Sequence, residues 1–415
     1  GWDYGLSKRT DSELPPFDPF RIDFQEEPGG YLRARRSKTP IFYEQSLGQW
    51  VICGYDLARA ALRNTTELST INTLDPLVEP SSRSKDVLAT YGFAPQRVLV
   101  NTDGEQHRRR RRQLTPPLSE AAVRRAAPMA HRVVDGYIDK FQARGSAELV
   151  GELLWGAAAD IGLAVAGVPE DRIAEARECA VVTADFWWGR PTEDEQIQVA
   201  HRMGRWWQLA GELVAELRRR PGAGWIPHAI EVAREDRSLD EAVLQTMMMS
   251  GLVAAHETTM NAAANALLLL LERPAVWEAL REDPTLTPRA VEECLRLGAS
   301  VMCWRRRAAA PLTLGGQSIE AGEDVLIVLD SANRDERRFC DPDEFDLDRR
   351  DAHRHLSFGS GEHVCAGAAL ARMEIALVID SLATRLPGLS LGRAPRYRAN
   401  ASFRGPIRLD VRWHP

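Results

Sequence analysis

Apolar positions follow helical spacing through the middle of the chain and strand-like alternation towards both ends. Ile41-Phe42-Tyr43 and Trp50-Val51-Ile52-Cys53 predict two short strands about a Gly turn, and residues 55–64 predict a short helix. Residues 70–102 are rich in Pro, Ser and Gly and weakly periodic. They predict a long loop, of a length that is usually functional. Helical patterns dominate from about 104 to 300. Leu312-Thr313-Leu314 and Ser318-Ile319 then flank Gly315-Gly316, a hairpin signal, and Asp324 to Leu329 predicts a third strand. A Pro/Asp-rich irregular stretch runs from Asp335 to His355. A helix after Cys365 is stopped near Leu386 by Pro387-Gly388, and Arg396 to Trp413 reads as loop and hairpin. The fold class is mainly α with a minor β part. No break divides it, so one domain over residues 1–415 is expected, with about 20 extended residues at its start.

Composition narrows the function classes. The chain of 415 residues is 44% hydrophobic and 27% charged, as in globular proteins, and its net charge of −6 gives no general support for binding nucleic acid. Six scattered cysteines fit a reducing compartment, and no segment reads as a signal peptide, so the cytoplasm is the expected location. The apolar run Met247 to Leu271 is interrupted by His256, Glu257, Asn261 and Asn265. It predicts a buried helix rather than a membrane span.

Four segments carry candidate chemistry. Cys365 stands in Phe358-Gly359-Ser360-Gly361-Glu362-His363-Val364-Cys365-Ala366-Gly367, just before a helix. A thiolate there is favoured by the helix dipole and nearby N–H groups, and the glycines allow close approach of a flat ligand. Metal ligand and nucleophile are both open readings. His353, His355, His363 and Cys365 make zinc a rival, although the spacing lacks a paired-cysteine knuckle. The long helix, capped by Ser238 with Glu241 and closed by Pro274, spans about 35 residues or roughly 50 Å. It carries Ala254-Ala255-His256-Glu257-Thr258-Thr259, and an acid beside hydroxyls in an apolar helix needs partners or a task. The ordinary alternative is an acid at the helix surface with threonine bonded to the preceding turn. A second helix starts at Thr287-Pro288 and carries Glu293 and Arg296, whose default is a surface ion pair. His107 to Arg112 is a basic run in which His107 and Arg111 share a helix face suited to a pair of carboxylates. Its plainer reading is a solvated basic face.

These residues together resemble the cytochrome P450 monooxygenases. Phe358-Gly359-x-Gly361-x-His363-x-Cys365-x-Gly367 with Ala371-Arg372 is similar to the family's haem loop, and Ala254 to Thr259 to its oxygen-activating helix segment. Glu293-x-x-Arg296 is similar to its structural ion pair. Ala332-Asn333-Arg334-Asp335 and Phe339-x-Asp341-Pro342-x-x-Phe345-Asp346 resemble the irregular segment ahead of the haem loop. Met247 to Thr259, Gly189-Arg190-Pro191, Ala290 to Arg296 and Ser402 to Pro406 also resemble the haem domains of self-sufficient bacterial enzymes. Those are fused to a phthalate-dioxygenase-type reductase.

The resemblance implies a triangular, helix-rich fold. Haem b (iron protoporphyrin IX) would lie between the long central helix and the helix after Cys365, with Cys365 as its axial ligand. Phe358, Gly359, Gly367 and Ala254 would pack on the cofactor, and His107, Arg111, Arg306 and His363 would hold its propionates, while Arg108 to Arg110 and Arg112 face solvent or a redox partner. Glu257 and Thr258 would deliver protons during O2 cleavage. Glu293 and Arg296 would be structural. Trp187, Val253, Val301, Met302 and Phe403 would line an apolar pocket. Of the doublets Trp187-Trp188 and Trp206-Trp207, at least one ring each is expected in the core, a remaining ring being partly wet. The implied reaction is hydroxylation or O-dealkylation of a small hydrophobic, aromatic substrate. Electrons would come from NAD(P)H through an FMN/[2Fe–2S] reductase or a ferredoxin system outside this chain. A peroxygenase, decarboxylase or nitrating enzyme and a non-catalytic haem sensor are the alternatives. The implied partners are the redox protein, the substrate and O2, with no nucleic acid or membrane, and the implied state is a monomer.

Overall fold

The computed structural model describes residues 14–179 and 184–414. Most of the expected N-terminal extension lies outside the described residues; chain order begins with a short helix at Ile22–Glu26.

Helices make the bulk of the molecule, around a central helix, Glu241–Leu271. That helix is apolar on nearly every side, so it is surrounded rather than laid on a surface. Its start is set by Asp240, whose side chain accepts the Val243 N–H at 2.9 Å. Ser238 is not the cap; its hydroxyl instead donates to Asp236. The central helix packs on the helix Trp155–Ala166, where Gly162 permits close crossing: a Cβ there would lie 3.2 Å from that of Ala255. Further helices, Glu120–Asp139, Thr287–Leu297 and Ala368–Arg385, complete the larger core with it. No helix among the described residues is long and apolar enough to cross a membrane.

The main sheet is on one side. Strands β1 (Ile41–Glu44), β2 (Gln49–Ile52), β3 (Leu68–Ser69), β5 (Cys303–Ala308) and β8 (Asp324–Val328) are ordered β1-β2-β8-β5-β3. β2 and β8 are parallel with Trp50 opposite Val325, and β5 and β8 are antiparallel with Arg306 also opposite Val325. β6 (Leu312–Leu314) and β7 (Gln317–Ile319) form the expected hairpin, with Gly315 and Gly316 at φ +57 and +78. β4 (Ser146–Glu148), β9 (Ser390–Leu391) and β10 (Asp410–Arg412) make a small third sheet.

One sequence expectation needs correction here. The stretch 70–102 is not all loop: Ser82–Thr90 is a helix, capped by Ser81, that packs on the long helix Glu193–Arg219. Its polar sequence hides the contact, because the buried groups are Ser84 and Leu88 with Tyr91 beyond them, and Tyr91 sits directly over Gly204. Trp206 and Trp207 are both buried, at 0% and 5% exposure, and Trp188 is buried with Trp187 partly so, which puts at least one ring of each doublet in the core as expected. Trp207 packs edge-on against Phe93, and Trp188 stacks on Trp304.

Candidate active site

The irregular segment before Cys365 is pinned from beneath. Glu293 and Arg296 are buried, at 1% and 0% side-chain exposure, and form a two-point ion pair at 2.8 Å. Arg296 also donates to the carbonyls of Asn333, Pro342 and Glu344. Glu293 accepts from the Asp346 N–H and from Arg349. The default of a surface pair is therefore wrong. The pair ties off carbonyls of a segment that has no ladder of its own.

Cys365 follows three residues before the helix Ala368–Arg385, with its N–H donated to the Phe358 carbonyl at 2.8 Å. Cys365 is exposed, yet protein packed near its sulfur desolvates the thiol. Burial pushes its pKa up, and the Gly367 N–H and the guanidiniums of Arg111 and Arg372 act in the opposite direction. Gly359 and Gly361 both have positive φ, which lets the loop turn tightly before the sulfur.

Around the cysteine lies a ring of nitrogen donors. His107, on the helix Gly104–Leu114, stacks on His363 with ring centroids 3.7 Å apart. His363 Nε2 is 3.6 Å from Asp103 Oδ1. Burial resists ionisation of Asp103, but the nearby His363 and hydrogen bonds from Ser69 and Thr70 outweigh it and hold the carboxyl well below its usual range. Arg306 is buried and faces the field of Asp103, with burial pushing its pKa down to about 10. Both ring nitrogens of His107, Nε2 of His363 and Nε of Arg306 are buried without a hydrogen-bond partner. Arg111 is half-buried on the same side, and its charge reaches Cys365. Asp103 escaped the sequence reading because Asp-Gly before a helix looks like a cap. Its carboxylate is instead bonded to Ser69 and Thr70.

Arg108, Arg109 and Arg112 are exposed, as expected. Arg110 is not: it is 4% exposed and donates to the carbonyls of Arg97 and Ser238. The zinc grouping is not assembled either. His355 is buried against Glu292, and His353 is exposed. The set of possible metal ligands that does converge among the described residues is His107, Glu362 and His363, and Glu362 is already bonded to Thr65 and paired with Arg108.

On the central helix, Ala254 is exposed and Thr258, one turn on, is partly so. The Thr258 hydroxyl donates to the Ala254 carbonyl at 2.6 Å, the preceding-turn bond of the ordinary reading. Glu257 accepts the Ala184 N–H at 2.8 Å and borders a cavity of about 250 Å³ shared with Asp185, Arg398, Asn400 and Phe403. Burial raises its pKa to about 7, with the Ala184 N–H pulling the other way. Trp187, Val253, Val301 and Phe403 are partly buried. Met302 is 0% exposed within the cluster of Phe17, Phe24 and Phe42, so its side chain lines no open space and the expectation of a pocket role fails.

An exposed cysteine in a glycine loop, with the buried, unpartnered nitrogens of His107, His363 and Arg306 nearby on a helical scaffold, suits a haem-thiolate protein. Comparison with known proteins agrees. The family model described as Cytochrome P450 matches residues 228–385. Nocardicin C N-oxygenase from Nocardia uniformis subsp. tsuyamanensis is 31% identical, over 98% of this chain and 100% of the relative. The P450 heme domain of Tepidiphilus thermophilus superposes with a TM-score of 0.93 at 37% identity, covering 96% of each chain. An intact type IV self-sufficient cytochrome P450 monooxygenase also gives 0.93, at 42% identity over 96% of this chain and 52% of that one, so this chain spans about half of that protein. The chain belongs to the cytochrome P450 family and is a monooxygenase of that family. The family's haem iron fits the residues present, because an accessible sulfur stands within a ring of buried donors that lack partners.

Proposed function

We propose that residues 1–415 act as one haem-binding unit that inserts an oxygen atom from O2 into a small hydrophobic, aromatic substrate by hydroxylation or O-dealkylation. The observation that carries this reading is the accessible Cys365 thiol among the unpartnered donors of His107, His363 and Arg306. Bound haem supplies the centre at which O2 is activated. Cys365 is its thiolate ligand, with Phe358, Gly359, Gly367 and Ala254 packing on it and His107, Arg111, Arg306 and His363 holding its carboxylates.

Glu257 supplies protons. A carboxyl held near 7 is present in both forms at neutral pH, which suits a group that must give a proton and regain it. The cavity beside it, reached by the partly exposed Asp185 and the exposed Arg398, is its route to bulk water. Thr258 spends its hydrogen on Ala254, so its oxygen is free to accept from a water handed on by Glu257. Trp187, Val253, Val301 and Phe403 exclude water around the substrate. Electrons come from NAD(P)H through a separate or fused FMN/[2Fe–2S] reductase or a ferredoxin system.

The reduced, CO-treated spectrum tests the reading. The wild type should show the Soret shift of a thiolate ligand and Cys365→Ser should lose it; a colourless, zinc-containing protein refutes it. With a surrogate reductase, Thr258→Ala should consume NAD(P)H without matching product, and full coupling would remove Thr258 from proton delivery. Spin-state shifts with a library of small aromatics would identify the substrate class.

A further inference from the structure

The Phe358 ring lies between two side chains that share one carboxylate. The Arg372 guanidinium is 4.7 Å from the ring centroid, and the His355 ring is 5.7 Å from it on tilted planes. Glu292, on the helix Thr287–Leu297, joins them. Arg372 donates to its two oxygens at 2.5 and 3.1 Å, and His355 Nε2 lies 3.4 Å from Oε2. Nδ1 of His355 accepts the Ser357 N–H at 3.2 Å, which puts the proton of this buried imidazole on Nε2, facing Glu292. Burial works against the Glu292 charge, but the close His355 and the two bonds from Arg372 prevail and hold its pKa near 2, so it is ionised throughout the working range.

The clamp touches the cysteine through Phe358, whose carbonyl accepts the Cys365 N–H. The Arg372 side chain is 39% exposed. Left free, such a long cation would swing into water and its field would be screened. Two-point bonding to Glu292 fixes it over the ring, where the medium is less polarisable and its charge is felt at the sulfur.

We propose that Arg372, locked over Phe358 by Glu292 and His355, is a positioning residue that raises the reduction potential of the metal bound by Cys365. This rests on the reading of Cys365 as haem ligand. Of the two charges in the pair, the Arg372 guanidinium is the one that lies over the Phe358 ring and acts at the sulfur, and a positive charge there withdraws electron density and favours the reduced, more negative state. Neither Glu292 nor His355 needs to touch the cofactor for this.

Two readouts test it in the haem-loaded protein: the ferric/ferrous midpoint and the C–O stretching frequency of the reduced CO complex. Arg372→Gln should raise the ferric-to-ferrous ratio at fixed applied potential about threefold, equivalent to a fall of about 30 mV for one electron, and should lower the C–O frequency. Arg372→Lys should restore most of both, because it keeps the charge, and Arg372→Met gives the same comparison as Gln should that variant fold poorly. An unchanged midpoint and stretch in a charge-free variant that retains the thiolate-type band overturns the proposal. So does a Lys variant shifted as far as Gln, since packing rather than charge would then be responsible. Absence of the thiolate-type band in the wild type refutes the ligand reading itself.

Discussion

His107 and His363 stack with their ring planes only 23° apart, joining the basic helix to the cysteine loop across most of the sequence. Burial and the neighbouring imidazole drive the His107 pKa down to about 4, so it is neutral in the stack at neutral pH. Neither ring nitrogen has a partner, so the single N–H of the neutral ring is free to donate to a carboxylate. A hydrogen bond to a charged group contributes about 1.5–3 kcal/mol. His107→Ala should therefore release haem to a scavenger protein on the order of ten or more times faster, with the Cys365 spectrum unchanged. An unaltered release rate would separate this pair from cofactor retention.

The Glu293–Arg296 pair has no water to fall back on. Arg296→Ala leaves the buried Glu293 with Arg349 alone and strips the donor from the carbonyls of Asn333 and Pro342. Breaking such a pair costs about 3–5 kcal/mol, measurable as a lower denaturant midpoint. A loss below about 1 kcal/mol, as for exposed pairs, would contradict the burial.

Glu257 makes stability depend on pH. Its pKa rises from 4.5 in the unfolded chain to about 7 in the folded one, chiefly through burial. Between those values the folded state holds the extra proton, so stability is highest below 4.5 and falls as pH rises to about 7. The loss is on the order of 3 kcal/mol. In Glu257→Gln this part of the slope should vanish from urea unfolding curves taken across the window. Parallel curves for the two proteins would show that Glu257 is solvated.

Gly204 lies under Tyr91, whose ring carbon would be 2.1 Å from an added Cβ. Gly204→Ala should push the Ser82–Thr90 helix off the long helix Glu193–Arg219 at a cost of about 1–3 kcal/mol. Hydrogen exchange should quicken in residues 82–91 with the larger core undisturbed. Uniform protection would mean that the ring rotates aside.

Much of this was legible from pattern alone. The strand pair, the Gly-Gly hairpin and the helix after Cys365 are local, and their turn residues mark their limits. The helix Ser82–Thr90 was not, because polar residues and tertiary docking hold it rather than an apolar stripe. The motif residues Cys365, His107, Arg111, Arg306 and His363 could be named from spacing and resemblance. The groups that hold them could not. Asp103 imitates a cap, and Glu292 is adjacent to the more conspicuous Glu293. Met302 shows the converse error: a residue just ahead of β5 was counted as pocket although its side chain turns into the aromatic core.

The pairing of β2 with β8 constrains how the molecule is made. Trp50 finds its partner Val325 only after most of the chain has been synthesised, and Cys365 emerges later still. A β-strand waiting on so distant a neighbour is slow to register and prone to wrong associations meanwhile. On the ribosome, then, the β1–β2 pair must wait without β8 while the helical body forms around Glu241–Leu271, and the cysteine loop can join only after that body has been made. Expression yield should respond to translation speed and to cofactor supply late in synthesis more than to the stability of the finished enzyme.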